Sequence, residues 1–346
     1  MTPALPALVA ASVGMKAILQ TSYGDPEQVL APGELDMPVP GDDNVLIRVR
    51  ATSVNTPDCI ATLGVPYALR LAVGLSGPAS AVRGSDVSGV VEAVGARVLD
   101  FAPGDEVFGS VWTGGYTRGA QGTFCEYTLV PASQLARKPA HLSFEEAAGA
   151  VMSGVTALQA IRDVAGVRAG TRVLINGASG GLGTFSVQIA KALGAVVTGV
   201  CSTRNVDLVR SLGADHVIDY TVEDYTKGDE RYDVIFDNVM NHPAAASAAV
   251  LAPGGLFLPN SIGTNRWVGP IPTLLFAGLF KPKQWRFVEY RPTRQNLESL
   301  AALLESGAVR VVIDRTYPLE QAGAAVAHMM SRRARGQIVL QVGEPA

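Results

Sequence analysis

Arg172–Ala195 reads RVLINGASGGLGTFSVQIAKALGA. It opens on an apolar run, Val173–Ile175, and passes through a glycine-rich turn into a segment with helical periodicity. Gly177, Gly180 and Gly183 fall at GxxGxxG spacing. Each glycine has a physical task. Gly177 makes the turn. Gly180, with Gly181, lets the backbone come close to a diphosphate, and Gly183 lets helix and strand pack closely. The helix N-terminus then offers unpaired N–H groups and a partial positive charge to the anion. A merely structural glycine turn is the plain alternative. The strand before the loop, the helix after it and a second strand, AVVTGVC, favour dinucleotide binding.

The second strand runs into Ser202, Thr203 and Arg204, 19 to 21 residues after Gly183. A site for NAD usually places Asp or Glu there for the ribose hydroxyls, and that carboxylate would repel a 2′-phosphate. Two hydroxyls and a guanidinium suit a phosphate instead, which predicts NADPH as cofactor. A solvated arginine on a surface turn is the competing reading. Further on, strand-like HVIDY, YDVIFDNV and GLFLPNSI alternate with helix-like NVDLVRSLG and AASAAVLAPG, the last ending on its own stop signal. That alternation predicts a Rossmann-type doubly wound parallel sheet in an α/β chain.

Upstream the pattern differs. MKAILQ, VLIRVRATSV, GVVEAVGARV, EVFGSVW and FCEYTLV are short strand-like runs separated by Gly, Pro and Asp, which predicts a β-rich, barrel-like unit. The change comes at SFEEAAGAVMSGVTALQAI, where Ser143 and Glu146 form a capping-box signature for a helix. Helix-like NLESLAALLESG and a last strand, GQIVLQV, close the chain without obviously extending the parallel sheet.

The chain has 346 residues, with 28 Lys and Arg against 31 Asp and Glu, for a net charge of −3. At roughly 150 residues per domain the length suggests two domains. The slightly acidic balance argues against nucleic acid as a partner. Cys59, Cys125 and Cys201 are odd in number and form no CxxC, which excludes a disulfide framework and a four-cysteine zinc site and predicts a cytoplasmic location. No run reaches the roughly 18 apolar residues of a membrane span. The most apolar stretch, Trp267–Phe280, contains two prolines and reads as a pocket-lining or subunit-contact segment. Residues 1–14 lack the Lys or Arg that opens a signal peptide and read as a disordered extension or as a misplaced start before Met15.

These residues carry a family resemblance. Leu174, Ala178-Ser179, Gly180-Gly181-Leu182-Gly183, Gln188 and Lys191 match the signature of the zinc-independent, quinone-oxidoreductase-like branch of the medium-chain dehydrogenase/reductase superfamily, with Thr171 a minor departure. ATSVNTPD, GSDVSGVVEAVG, PGDEVFG, SGVTALQA, LGADHVIDY and RGQIVLQV resemble the same branch, from Met15 to the end of the chain. The resemblance implies a discontinuous GroES-like catalytic domain (15–148 and 291–346), a Rossmann domain (149–290) and a homodimer. It further implies that Asn55 and Thr156 lie near the nicotinamide and that Ser179, Gly180, Gly181, Leu182 and Gly183 hold the diphosphate. Ser202, Thr203, Arg204 and Tyr220 would surround the 2′-phosphate and adenosine, with Asn238 and Ser261 after the next strands. Gln337 stands where relatives often carry Lys.

Zinc-dependent relatives place Cys where this chain has Asn55 and a His-Glu pair where it has Ser85-Asp86, so no metal is expected. Without a Lewis acid, hydride transfer to a quinone or an α,β-unsaturated carbonyl compound is the better reading than alcohol oxidation. Some relatives have Tyr where this chain has Ile60; Tyr67 falls one residue beyond the place where enoyl-thioester reductases carry one. Tyr67 is therefore a candidate proton donor or oxyanion stabiliser, and a tyrosine packed at the pocket rim is the plainer reading. Asn55 is the other catalytic candidate, against an Asx-turn before Pro57. Asp58 reads as a helix cap, and Cys59 and Cys125 as small core residues. Two rival functions stay open. One is an enoyl-thioester reductase, for which Lys281, Lys283 and Arg286 would supply a basic patch. The other is an NADPH-binding sensor or assembly protein without turnover.

Overall fold

The computed structural model describes residues 14–67, 70–112, 122–260 and 284–343. Residues 1–13, Ser261, the 267–280 segment, Lys281 and Lys283 lie outside the described residues. β1 (Gly14–Gln20) and β2 (Leu30–Asp36) pair antiparallel across a helical turn, α1 (Pro26–Val29), which Asp25 caps and Pro26 opens. β3 (Asn44–Val54) leads into α2 (Thr56–Leu63) and a short turn of helix, α3 (Arg70–Val73). β4 (Asp86–Val94), β5 (Glu106–Ser110), β6 (Tyr127–Pro131) and β7 (Leu135–Arg137) follow.

α4 (Phe144–Leu158) begins on the expected capping box. The N–H of Glu146 donates to Ser143 Oγ at 3.1 Å, and the N–H of Ser143 donates to Glu146 Oε2 at 2.9 Å. Its last turn widens into a π-helical segment, Gln159–Val164. Then come β8 (Arg172–Asn176), α5 (Gly181–Ala192), β9 (Val196–Cys201), α6 (Val206–Ser211), β10 (His216–Asp219), β11 (Tyr232–Asp237), α7 (Ala244–Ala249) and β12 (Leu251–Pro259). These five strands form one parallel sheet in the order β10-β9-β8-β11-β12. The order reverses between β8 and β11, which opens a crevice at their carboxyl ends.

α8 (Arg294–Glu305), β13 (Ile313–Pro318), α9 (Ala322–Met330) and β14 (Gln337–Gln341) complete the described chain. β14 returns to pair antiparallel with β3, so the last strand joins the first β-rich unit in a seven-stranded sheet. Val173 and Ile175 of β8 face one apolar core, shared with α4, α5 and α8, while Leu174 faces a second core with Ile235 and Phe257. A sheet covered on both faces requires this alternation to be apolar throughout.

Two readings of the sequence change. Leu251–Gly254 had the look of a helix end; it is instead the start of β12, because Leu251 pairs with Tyr232 and Pro253 cannot continue a helix. The expected division at 148/149 falls inside α4, whose residues pack on both the β-rich sheet and the core of the parallel sheet.

Candidate active site

The glycine loop is held by backbone. The N–H groups of Gly177 and Ala178 both donate to the carbonyl of Val200, at 3.1 and 3.0 Å, and the N–H of Gly180 donates to the carbonyl of Gly177. Gly177 sits at φ +79°, where an L side chain is strained. A Cβ on Gly183 would lie 2.1 Å from the Gly177 carbonyl oxygen, so the helix approaches the loop only because that atom is missing. Gly180 caps α5 with no side-chain oxygen, which leaves the first-turn N–H groups for a ligand.

From the loop a polar chain leads to the end of β9. Asn205 Nδ2 donates to Ser179 Oγ at 2.9 Å and to Ser202 Oγ at 3.3 Å, and Asn205 Oδ1 is buried without a partner. Thr203 Oγ1 bonds Thr221 Oγ1, and the Tyr220 N–H donates to the Cys201 carbonyl. Arg204 Nη2 donates to the carbonyl of Arg333, which brings the basic stretch Arg332–Arg333 to the same edge. Ser202, Thr203, Arg204 and Tyr220 are thus neighbours. Asp219 is close by, its carboxyl held below the usual range by hydrogen bonds from Thr203 and Thr221. The sequence reading missed both Asn205 and Asp219.

At the crevice, Asp237 Oδ1 accepts from Asn176 Nδ2, from the N–H of Val239 and from the N–H of Met240, which sits at φ 56°. The next side chain, Asn238, has both amide atoms buried and neither partnered. It lies against Gly177, whose added Cβ would meet Asn238 Cβ at 3.6 Å.

A second buried cluster joins β3, β4 and α4. Asp86 Oδ2 accepts from Ser53 Oγ at 2.7 Å, from Asn55 Nδ2 at 2.9 Å and from the N–H of Met152 at 3.0 Å. Asn55 Nδ2 also donates to Ser53 Oγ at 3.0 Å. Asp86 Oδ1 has no partner, and burial pushes the Asp86 carboxyl up to about 7. The Tyr290 hydroxyl, also buried without a partner, is pushed well above its ordinary value by burial and then by the Asp86 charge. One residue beyond Met152, Ser153 Oγ donates to Gln337 Oε1, and Gln337 Nε2 is a buried amide with no partner. That Nε2 would be 2.9 Å from a Cβ on Gly181. Asn55 is therefore linked through Asp86, α4 and Gln337 to the glycine loop. Thr156 lies buried one turn further along α4.

Comparison with known proteins agrees with this architecture. The alcohol dehydrogenase GroES-like domain model matches residues 41–140, and the zinc-binding dehydrogenase model matches residues 212–340. The mitochondrial NAD(P)H oxidoreductase of Mus musculus is 34% identical, over 96% of this chain and 90% of the relative. A trans-enoyl reductase of Aspergillus terreus is 33% identical over 88% of each chain. The Escherichia coli quinone oxidoreductase, solved with NADPH, superposes with a TM-score of 0.78 at 26% identity, covering 94% of this chain and 99% of the other. The chain belongs to the medium-chain dehydrogenase/reductase superfamily. It is an oxidoreductase that uses a nicotinamide cofactor.

The residues of this dehydrogenase/reductase fit that cofactor. The uncapped α5 N-terminus beside small glycines suits the diphosphate, and the Asn238 amide and Gln337 Nε2 are buried polar groups without partners that a polar ligand would satisfy. Other candidates are placed differently. Tyr67 is 71% exposed, and the Arg70 guanidinium lies over its ring at 4.9 Å. Asp58 acts as a cap: it accepts from the N–H of Asn55 at 2.8 Å and from the N–H of Gly84 at 3.0 Å, while burial pushes it up to about 6. Burial raises the thiol of Cys59 and pushes that of Cys125 up to about 12, as suits core residues rather than nucleophiles. Among the described residues no three His, Cys, Asp or Glu side chains converge as a metal site, and no helix is long and apolar enough to cross a membrane.

Proposed function

We propose that the protein is a zinc-independent reductase that uses NADPH and delivers hydride to a quinone or an α,β-unsaturated carbonyl compound. The observation that carries the cofactor choice is the edge formed by Ser202, Thr203, Arg204 and Tyr220, with Arg332–Arg333 beside it. Hydroxyls and guanidinium favour a 2′-phosphate, and Asp219 is engaged by Thr221 and Thr203. The substrate class rests on the relatives, named as quinone and enoyl reductases. Independence of zinc rests on the donor set: Asn55 and Ser85 stand at the ligand positions, and a neutral amide and a hydroxyl are poor zinc ligands.

The bound cofactor supplies the hydride. The diphosphate is assigned to Ser179–Gly183, beside Asn238 and Gln337 Nε2, and Thr156 is assigned to the nicotinamide side. Asn55 orders the nicotinamide end. Tyr67, at the exposed rim, is kept as a proton donor to test, and Ser261 as a further cofactor contact. The proposal divides the chain into a GroES-like unit, 15–148 with 291–346, and a Rossmann unit, 149–290, with α4 packed on both. A homodimer in the cytoplasm completes the proposal, and the three cysteines are free.

The test follows NADPH absorbance with purified protein across quinones, enones and enoyl thioesters. Oxidation with quinones or enones, equal zinc-free and zinc-supplemented rates, and a lower kcat for Tyr67→Phe support the whole proposal. Turnover confined to enoyl thioesters would transfer it to the reading suggested by the Aspergillus terreus relative. Tight NADPH binding without turnover on any class would make it a binding protein.

A further inference from the structure

We infer that the Tyr290 hydroxyl donates a hydrogen bond to the substrate carbonyl oxygen during reduction. The inference deepens the proposed function and rests on its placement of the reacting end at Asn55. Hydride addition to an enone or a quinone leaves negative charge on a carbonyl oxygen. A reductase that works without a metal needs a donor aimed at that charge. Most polar groups around Asn55 are already engaged. The Ser53 hydroxyl and the Met152 N–H donate to Asp86 Oδ2, and Asn55 Nδ2 faces Ser53 and the same oxygen. The Ser153 hydroxyl donates to Gln337. Tyr67 is largely exposed under Arg70.

The Tyr290 hydroxyl differs from these. It is buried without a partner, close enough to Asp86 to feel its charge and beside Ser110. A buried hydroxyl left without a partner is costly, and a substrate oxygen would complete it. Burial, and after it the Asp86 charge, raise this hydroxyl well above its ordinary value, so it keeps its proton, as a donor must. The backbone around Tyr290 is tied at two points. Upstream, the Arg286 N–H donates to the Phe257 carbonyl of β12 at 3.1 Å. Downstream, the Arg291 N–H donates to Gln159 Oε1 at 3.1 Å, and Gln159 Nε2 donates to the Arg291 carbonyl at 3.4 Å. Gln159 opens the π-helical turn of α4, a widening found most often at functional sites. Asp86 begins β4 and Ser110 ends β5, so a tyrosine anchored on the parallel sheet and α4 places its hydroxyl at the β-rich unit, between the two.

The test uses 4-(dimethylamino)cinnamaldehyde, an α,β-unsaturated aldehyde whose absorption moves to longer wavelength when its carbonyl oxygen accepts a hydrogen bond. It is added to the protein with NADP+, which cannot reduce it. The wild type should show the red shift. Tyr290→Phe removes only the hydroxyl. It should lose the shift, lower kcat on a quinone or enone about 100-fold and leave the NADPH dissociation constant unchanged. Its urea midpoint should stay or rise, because the hydroxyl has no protein partner to lose. Ser85→Ala, which removes the other unpartnered hydroxyl next to Asp86, should keep the shift. A shift kept in Tyr290→Phe, or lost in Ser85→Ala instead, overturns the inference. A lowered urea midpoint with unchanged kcat also overturns it, by making the hydroxyl structural, as does a wild type that binds the aldehyde without a shift. A wild type that neither binds the aldehyde nor oxidises NADPH with any quinone or enone refutes the proposed substrate class, and the role of Tyr290 falls with it.

Discussion

Two alanine substitutions in the glycine loop separate close packing from cofactor contact. At Gly183 the added methyl would sit 2.1 Å from the Gly177 carbonyl oxygen and 2.7 Å from the Ala178 carbonyl carbon. Ordinary contact begins at about 3.4 Å, so α5 or the loop must retreat by roughly 1 Å. Neither side yields easily, because the obstacle is backbone and the N–H groups of Gly177 and Ala178 are tied to Val200. Overpacking of this kind costs about 1–3 kcal/mol. The retreat also moves the α5 N–H groups from their ligand. At Gly180 the nearest atom to an added Cβ is 3.5 Å away, and φ is −79°, which any residue adopts. That methyl leaves the fold intact and projects where the diphosphate approaches. Gly183→Ala should lower the urea midpoint and weaken NADPH at least 10-fold. Gly180→Ala should weaken NADPH by a similar factor with an unchanged midpoint. Urea unfolding and fluorescence titration read the two quantities separately. Wild-type affinity in Gly180→Ala would refute the assignment of this loop to the diphosphate.

Three further outcomes are expected. Arg204→Ala should raise the NADPH dissociation constant about 10-fold and leave that for NADH unchanged, since one charge-assisted contact is lost; equal changes for both cofactors would remove Arg204 from the 2′-phosphate. Asn205→Ala should reduce affinity for both cofactors alike, because it releases Ser179 and Ser202 together, and a loss confined to NADPH would count against that link. Asp86 binds its proton more tightly folded, at about 7, than unfolded, at 3.8, so the folded state holds more protons between these values and stability falls as pH rises through that window, by about 4 kcal/mol from this group. Asp58, raised to about 6, adds a slope of the same sign. Thermal unfolding from pH 4.5 to 8 should show a shallower decline in Asp86→Asn than in the wild type, and parallel curves would contradict the buried-carboxyl account.

Much of the site was legible locally. Gly177 and Gly183 mark a turn and a close approach that only glycine accommodates, and Ser143 with Glu146 writes a cap within four residues. Alternating strands and helices foretold the parallel sheet because each periodicity is a property of consecutive residues. Tyr67 shows the limit: its distance from Asn55 along the chain gave no sign that its ring would turn outward over Arg70. Leu251–Gly254 shows another, since what reads locally as the stop of a helix is the start of a strand once Leu251 pairs with Tyr232.

The sequence by itself determined the two kinds of unit, the glycine-rich loop and the basic, hydroxyl-rich end of β9. All of these follow from short-range spacing and side-chain type. The tertiary structure alone decided that β14 closes onto β3, that Gln337 rests against Gly181, and that Ser53, Asn55, Asp86 and Met152 meet at one carboxylate oxygen. Those contacts join residues tens to hundreds of positions apart. They arise from burying two sheets against the shared helix α4, and no local pattern encodes which distant donor will face a buried acceptor.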